Sequence, residues 1–400
     1  MNKKLVAVAI AGLLAAPLAQ AQTANVTLYG RVSVDVDVVN YDGPSGDNTV
    51  GKVQSISSRW GLRGSEALGN GMNAIFQCET PLAADEGASG SSVMCGREGW
   101  VGLNGRWGEM KLGYGLTPYD DVKGFTDHQG SNGFENPNNG VSSGPGFAAN
   151  GLFTNYGNDT SANSITNSGA FDARYGNSIS YKTPGFSGFT LRTQYAFIDE
   201  SPAQDAFGWD TALIYAAGPA TFGLTYAYHG DFAGLGGTIA GKNDQQSWRL
   251  AGKWNFGRFQ IDGYYDQAKY KFAGNLVPSN FSVDQTYKYA NWAIGVLAPM
   301  GPWTFGAQYN SRDKGLATAY NGTTNTYSPT YANLRHWDSG GGDHFALTAD
   351  YSLSKRTTVR MYGAWLQNEG TLVGGSNTAA GTLQGDSTIW ALSAGLWHTF

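Results

Sequence analysis

Few residues in this 400-residue chain have a type and spacing suited to covalent chemistry. The five histidines, His128, His229, His336, His344 and His398, show no metal-ligand spacing. Gly236-Gly-Thr-Ile-Ala-Gly241-Lys242 has the outline of a phosphate loop, but Asn243 stands where Ser or Thr would hold magnesium. No helix pattern follows it, so nothing aims backbone amides at a phosphate. A hydrolase built on a barrel rim would need a Ser–His or Asp–His pair, and no local motif supports one. Cys78 and Cys95 flank Glu79 to Met94, which reads as a hairpin loop. In an oxidising compartment they could pair and staple that loop, by about 3 kcal/mol in the chain-entropy model. Two free thiols, or other neighbours, are the alternative. Two thiols without a nearby His make no metal site, and neither a cofactor nor an enzyme activity is expected. What remains is charge placed on strands and loops, so the elements carrying it decide the chemistry.

The last strand is the most telling element. Trp390, Leu392, Ala394, Leu396, His398 and Phe400 alternate with Ala391, Ser393, Gly395, Trp397 and Thr399. Period-two alternation sends the two sets to opposite faces, one of them largely apolar. A flat apolar strand ending a soluble chain would present an open edge for aggregation. A closed barrel removes the edge, and lipid accepts the apolar face.

The amino terminus agrees. Lys3 and Lys4 precede the apolar run Leu5 to Leu18, and Ala19-Gln20-Ala21 fits a small-x-small cleavage site. Residues 1–21 read as a secretory signal peptide and 22–400 as the mature barrel domain. The run is shorter than the ~20 residues of a helical span. Glycine is abundant at 57, aromatics reach 13%, and losing Lys3 and Lys4 takes the net charge from −5 to −7. An acidic chain with no basic run excludes nucleic acid as a partner.

Sixteen strand candidates follow: Val26–Val39, Val53–Gly64, Met72–Pro81, Cys95–Asn104, Gly108–Leu116, Arg174–Thr183, Phe189–Ile198, Gly208–Ala217, Ala220–His229, Ser247–Phe256, Phe259–Lys271, Thr286–Ala298, Trp303–Lys314, Asp343–Leu353, Thr357–Gln367 and Ser387–Phe400. Charges fall on one face: Leu191 opposes Arg192, and Trp248, Leu250 and Trp254 oppose Arg249 and Lys253. Short connections such as Gly218-Pro219 alternate with long ones, including Asn40–Lys52, as in outer-membrane barrels. A soluble propeller or sandwich would bury both sheet faces, which the charged faces oppose. Thr117–Ala173 is far longer than an ordinary connection and carries Asp120, Asp121, Asp127 and Glu135. It would either hang outside or fold inward and narrow a pore.

Several segments resemble the trimeric Gram-negative general porins of beta-proteobacterial type. They are Val26-Thr-Leu-Tyr-Gly-Arg31, Ser58-Arg-Trp-Gly-Leu-Arg-Gly-Ser-Glu66, Leu68-Gly-Asn-Gly71, Trp100-Val-Gly-Leu103, Arg174-Tyr-Gly-Asn-Ser-Ile-Ser-Tyr181 and Gly395-Leu-Trp-His-Thr-Phe400. They run from the first strand to the last. The resemblance implies an all-β, 16-stranded antiparallel transmembrane β-barrel in the outer membrane, with the long third loop folded into the lumen. It implies a homotrimer among outer-membrane lipid and lipopolysaccharide, with Phe400, His398 and Leu396 as the signal for the assembly machinery. It also implies a basic wall of Arg59, Arg97 and Arg174, with Arg31 and Arg63 nearby, facing Asp120, Asp121, Asp127 and Glu135 across a pore constriction. Parity supports a lumenal Arg31, Arg59, Arg63 and Arg174. Arg97 falls in step with Val101 and Leu103, so it needs a bulge or an end-of-strand position.

The chain departs from the family pattern in three places: Leu112-Gly113-Tyr114 lacks a basic residue, Phe134-Glu-Asn-Pro137 replaces the enteric loop sequence, and Thr399 is penultimate. The function implied is a water-filled channel for passive diffusion of ions and small hydrophilic solutes. A substrate-specific channel for anions, phosphate or sugar is the alternative. Net charge favours cations and the lumenal arginines favour anions; selectivity follows the neck, which leans it to anions.

Overall fold

Because side chains alternate along a strand, a chain patterned polar-in and apolar-out folds inside out relative to a soluble protein. The computed structural model describes residues 25–43, 46–85, 93–126, 171, 174–197, 206–232, 243–272, 285–312, 316–319, 341–369, 376–377, 381–382 and 388–400. The signal-peptide candidate, residues 1–21, lies outside them, as do Asp127 and Glu135.

The chain opens with β1 (Asn25–Gly43) and β2 (Gly46–Ser55), paired as far as Gly43 opposite Gly46. After Ile56-Ser57-Ser58, where Ser57 takes a φ of 52°, β3 (Arg59–Gly69) pairs with the first residues of β1. β2 and β3 therefore form one broken barrel strand. The region Asn40–Lys52, expected as a long loop, is mostly strand. Its polar residues gave no apolar alternation because they need no lipid-facing side.

β4 (Met72–Pro81), β5 (Glu98–Gly105) and β6 (Gly108–Leu116) follow, then a short helix α1 (Pro118–Lys123). The wall continues through β7 (Arg174–Lys182), β8 (Phe189–Phe197), β9 (Phe207–Ala217), β10 (Ala220–Phe232), β11 (Asn243–Asn255), β12 (Gln260–Phe272) and β13 (Gln285–Met300). β14 (Trp303–Arg312) and β15 (Leu316–Ala319) both pair with β13 and make a second broken strand. β16 (Gly341–Ser352), β17 (Thr357–Glu369) and β20 (Thr388–Thr399) complete the barrel, while β18 (Ser376–Asn377) and β19 (Gly381–Thr382) form a separate small hairpin. With each broken pair counted once, the barrel has sixteen antiparallel strands.

Closure comes from β20, which pairs with β17 on one side and with β1 on the other, from Arg31 opposite Thr399 to Asp42 opposite Thr388. That pairing joins the first barrel strand to the last and removes the open edge the terminal strand would otherwise present. The last residue is part of the seam: Gly30 and Phe400 exchange two backbone hydrogen bonds of 3.1 Å. A Cβ on Gly30 would come within 2.4 Å of the Phe400 ring, so only glycine leaves room for it.

The exterior carries Leu28 (59% exposed), Leu224, Leu250 (52%), Ile294, Leu347 and Leu392. Aromatic contacts flank this apolar band, Trp107 on Tyr181 and Trp303 on Tyr351 near the short turns, Trp248 on Tyr265 and Trp292 on Tyr309 farther along the strands. Such aromatic girdles mark the two membrane–water interfaces. The opposite face is polar: Ser33, Asp35, Asp37, Thr225, Arg249, Asp266 and Gln308 are buried inside. Among the described residues no helix is long and apolar enough to cross a membrane.

Candidate functional site

The inner wall is organised by the segment that leaves β6. Pro118 near the start of α1 and Asp120 and Asp121 in its first turn are helix-start signals, with proline supplying a suitable φ and acids facing the positive helix end. They lie within 117–173, a stretch expected only as a long loop. The helix lies against the inner faces of β8 to β11. The Tyr119 amide donates to Asp210 Oδ2 at 3.2 Å, and its hydroxyl lies 3.1 Å from Ser247 Oγ. Its ring sits 5.1 Å from the Arg249 guanidinium, whose other ring neighbour is Tyr264 at 4.2 Å. Val122 is fully buried against Gly223, where an added Cβ would come within 2.8 Å of it. Farther on, Gln308 Nε2 donates to the Thr126 carbonyl at 2.7 Å. The Thr117 hydroxyl donates to the Phe171 carbonyl at 2.9 Å, so residues at the two ends of the long loop meet on the wall. Residues 127–170 between them lie outside the described residues.

The arginines singled out by sequence fall into two sets. Arg59 and Arg97 meet at one carboxylate, that of Glu79, and Arg174 opens β7. Arg97 Nε is 2.8 Å from Glu79 Oε1, and Arg59 Nε is 3.5 Å from Glu79 Oε2. Tyr29 donates to Glu79 Oε2 at 3.1 Å, and Arg63 lies over the Tyr29 ring at 5.0 Å. One carboxylate thus links Arg59, Arg97 and, through Tyr29, Arg63. Arg97 precedes β5, after Cys95 with its φ of 58°, so strand parity does not govern it. Arg31 pairs in register with Arg59 but donates to the Ile56 and Ser57 carbonyls. It also lies 4.3 Å above the Trp397 ring, which has Arg360 at 4.0 Å as a second neighbour.

The acids of the long loop are held closer to their own end of the wall. Asp121 receives Arg192 at 2.8 Å on both oxygens, and Asp120 is 3.6 Å from Lys123. Asp120 also acts electrostatically on Arg174. Glu79, Arg192, Arg249 and Asp266 were not expected as site residues. Arg192 and Arg249 were already readable as inward by alternation, and Glu79 shares its face with Gln77. The cross-strand and loop contacts that recruit them have no local signature. Cys78 and Cys95 are bonded, with Cα atoms 4.6 Å apart, directly beside Glu79 and Arg97. The Cys95 amide also donates to Thr80 Oγ1 at 3.0 Å. At the seam, Leu396, His398 and Phe400 all point outward from β20, and Thr357 Oγ1 lies 2.9 Å from His398 Nδ1.

This is a polar lumen lined by guanidinium and carboxylate groups within a greasy shell. The family model for the Gram-negative porin matches residues 6–371. An outer membrane porin protein of Bordetella pertussis is 27% identical over 416 residues, covering 95% of this chain and 98% of that one. Outer membrane porin protein 32 of Delftia acidovorans is 30% identical over 312 residues, covering 75% and 77%. An anion-selective porin from Comamonas acidovorans superposes with a TM-score of 0.68 at 25% identity, covering 94% of this chain and 100% of that one. Matched along most of its length and closed into a sixteen-stranded barrel with a charged interior, the chain belongs to the Gram-negative porin family, an outer-membrane channel protein for solute diffusion.

Proposed function

We propose that this porin is a general passive channel whose neck is the basic wall of Arg59, Arg97 and Arg174, with Arg31 and Arg63 beside it. The facing acids are Asp120 and Asp121, followed by Asp127 and Glu135 farther along the same loop. The observation carrying this reading is Glu79 shared by Arg97 at 2.8 Å and Arg59 at 3.5 Å, with Arg63 over the Tyr29 ring that donates to the same carboxylate. Opposed charge across a narrow aqueous neck orients polar solutes and biases which ion enters. An excess of guanidinium at that level favours anions. No bond is made or broken, and no cofactor takes part.

The channel works as a homotrimer in outer-membrane lipid and lipopolysaccharide, delivered there after removal of residues 1–21. The assembly machinery reads Leu396, His398 and Phe400 on β20. A solute-specific anion channel is the second reading, favoured by the resemblance to a porin described as anion-selective. Recording single channels of the refolded mature chain in a planar bilayer tests the proposal. Large conductance steps closing in threes, carrying chemically unrelated small solutes, support it. A single permeant solute class would favour the second reading, and a folded barrel without conductance would overturn both.

A further inference from the structure

Arg97 lies outside the strand ladders that place Arg59 and Arg174. β4 and β5 pair from Asn73 opposite Asn104 to Glu79 opposite Glu98, and Arg97 is the residue just beyond that end. The end itself is weak, because like charges directly opposite one another destabilise a strand pair. The Arg97 amide donates to the Glu79 carbonyl at 2.9 Å, one bond at the margin of the ladder. Its guanidinium is nevertheless fixed on the Glu79 carboxylate at 2.8 Å.

The disulfide supplies the further constraint. Cys78 stands opposite Gly99 in the ladder, and the chain turns back so that Cys95 lies over Gly99. A Cβ added at Gly99 would come within 3.1 Å of the Cys95 Cβ, so glycine makes room for the turn. Cys95 takes a φ of 58°, a conformation that a residue other than glycine keeps where its surroundings hold it. The turn from Cys95 to Gly99 is thus tied to Cys78 at both ends, by the S–S bond at one and by register at the other. Arg97 is its middle residue. Cys78 shares a face with outward-pointing Phe76, and Glu79 shares the opposite face with Gln77. The bond therefore sits behind the wall and the ion pair in front of it.

Resting on the reading of Arg59, Arg97 and Arg174 as the neck, we propose that the Cys78–Cys95 disulfide is the positioning element of Arg97 and so sets the ion preference of the channel. With the bond intact, the guanidinium is held beside Glu79 and adds to the basic wall. With the bond open, the turn loses one anchor and the Arg97 charge spreads over the volume its segment explores. Its pull on a passing ion weakens with distance and with screening, and Glu79 is left less compensated.

Zero-current potentials across a potassium chloride gradient test this on four channels: wild type, the Cys78→Ala and Cys95→Ala double variant, Arg97→Gln, and all three substitutions together. Loss of the bond should move the potential toward the cation side by about half or more of the Arg97→Gln shift, and should add nothing in the Arg97→Gln background, as for two changes acting through one group. A bond that served stability alone would lower the urea midpoint and leave the potential in place. Dithiothreitol on the folded wild type gives the same readout without substitution. Both cysteines are partly exposed, and the reagent's thiols close to a cyclic disulfide as the Cys78–Cys95 bond takes up two electrons and two protons. Maleimide labelling identifies the opened bond, and either route suffices. An unchanged potential in a folded channel without the bond overturns the positioning role while the neck reading stands. An equal shift in the Arg97→Gln background assigns the effect to another group and overturns it as well. If Arg97→Gln leaves the potential of the disulfide-bonded channel unchanged, the neck reading falls and the positioning role falls with it.

Discussion

Glu79 is the residue on which the basic wall turns. It sits between Arg59 and Arg97 and accepts from Tyr29, so its charge offsets part of theirs. Glu79→Gln keeps the shape and removes the negative charge. The zero-current potential under a salt gradient should then move toward the anion limit, by a few-fold in anion-to-cation permeability, the scale on which local charge alters ion concentration in a cleft. Arg97→Gln should move it the opposite way. Both shifts should shrink as salt rises, because the screening length falls from about 10 Å at 0.1 M to about 3 Å at 1 M. Equal shifts at both salt concentrations would mean that the substitutions act through shape.

Two elements shape the lumen: α1 on the inner face of β8 to β11, and the segment closed by the disulfide beside Glu79 and Arg97. Gly223 leaves the space that Val122 fills, so Gly223→Leu should push α1 off the inner wall. Lys123 is buried in the native barrel. Limited trypsin digestion of the folded variant should therefore cut after Lys123 where wild type resists, and an identical digest would remove the proposed anchoring role. Cys78→Ser should lower stability by about 3 kcal/mol, the chain-entropy value for a loop of this size. The urea midpoint of the refolded barrel in detergent measures it.

At this scale the sequence was legible where lipid demanded alternation. β6 spans Gly108–Leu116 as expected, and the parity that read Arg31, Arg59 and Arg63 as inward rested on apolar neighbours such as Val32 and Leu62. At Arg174 the same parity fails: a register shift opposite Gly113 to Gly115 and the positive φ of Asn177 interrupt the alternation, and Tyr175, expected to face lipid, is fully buried against His229. The sequence was illegible where lipid makes no demand. The polar stretch that became the β1–β2 hairpin looked like loop, and the position of Arg97 depends on the turn at Cys95 rather than on strand period. The Asp121–Arg192 pair joins residues 71 apart, a contact that only the closed barrel brings about.

For the whole molecule, the inside-out distribution of polarity is the source of stability in lipid. Arg249 and Leu250 are neighbours in β11 with opposite fates: the first is buried against Asp266 in the lumen, the second faces outward. Leu250→Arg should cost about 2–4 kcal/mol in a bilayer, as lipid-facing charge does near the midplane. Unfolding by urea from phospholipid vesicles measures that cost. A loss below 0.5 kcal/mol, on the order of a surface substitution, would place Leu250 outside the hydrocarbon region.

The basic neck is tested most directly by the zero-current potential of the wild-type channel across a potassium chloride gradient, beside that of the combined Arg59→Gln, Arg97→Gln and Arg174→Gln variant. The wild type should show the sign of anion preference, and the variant should lose it or reverse it while still conducting. A cation-preferring wild type, or a conducting variant with unchanged potential, would contradict a neck governed by these three arginines.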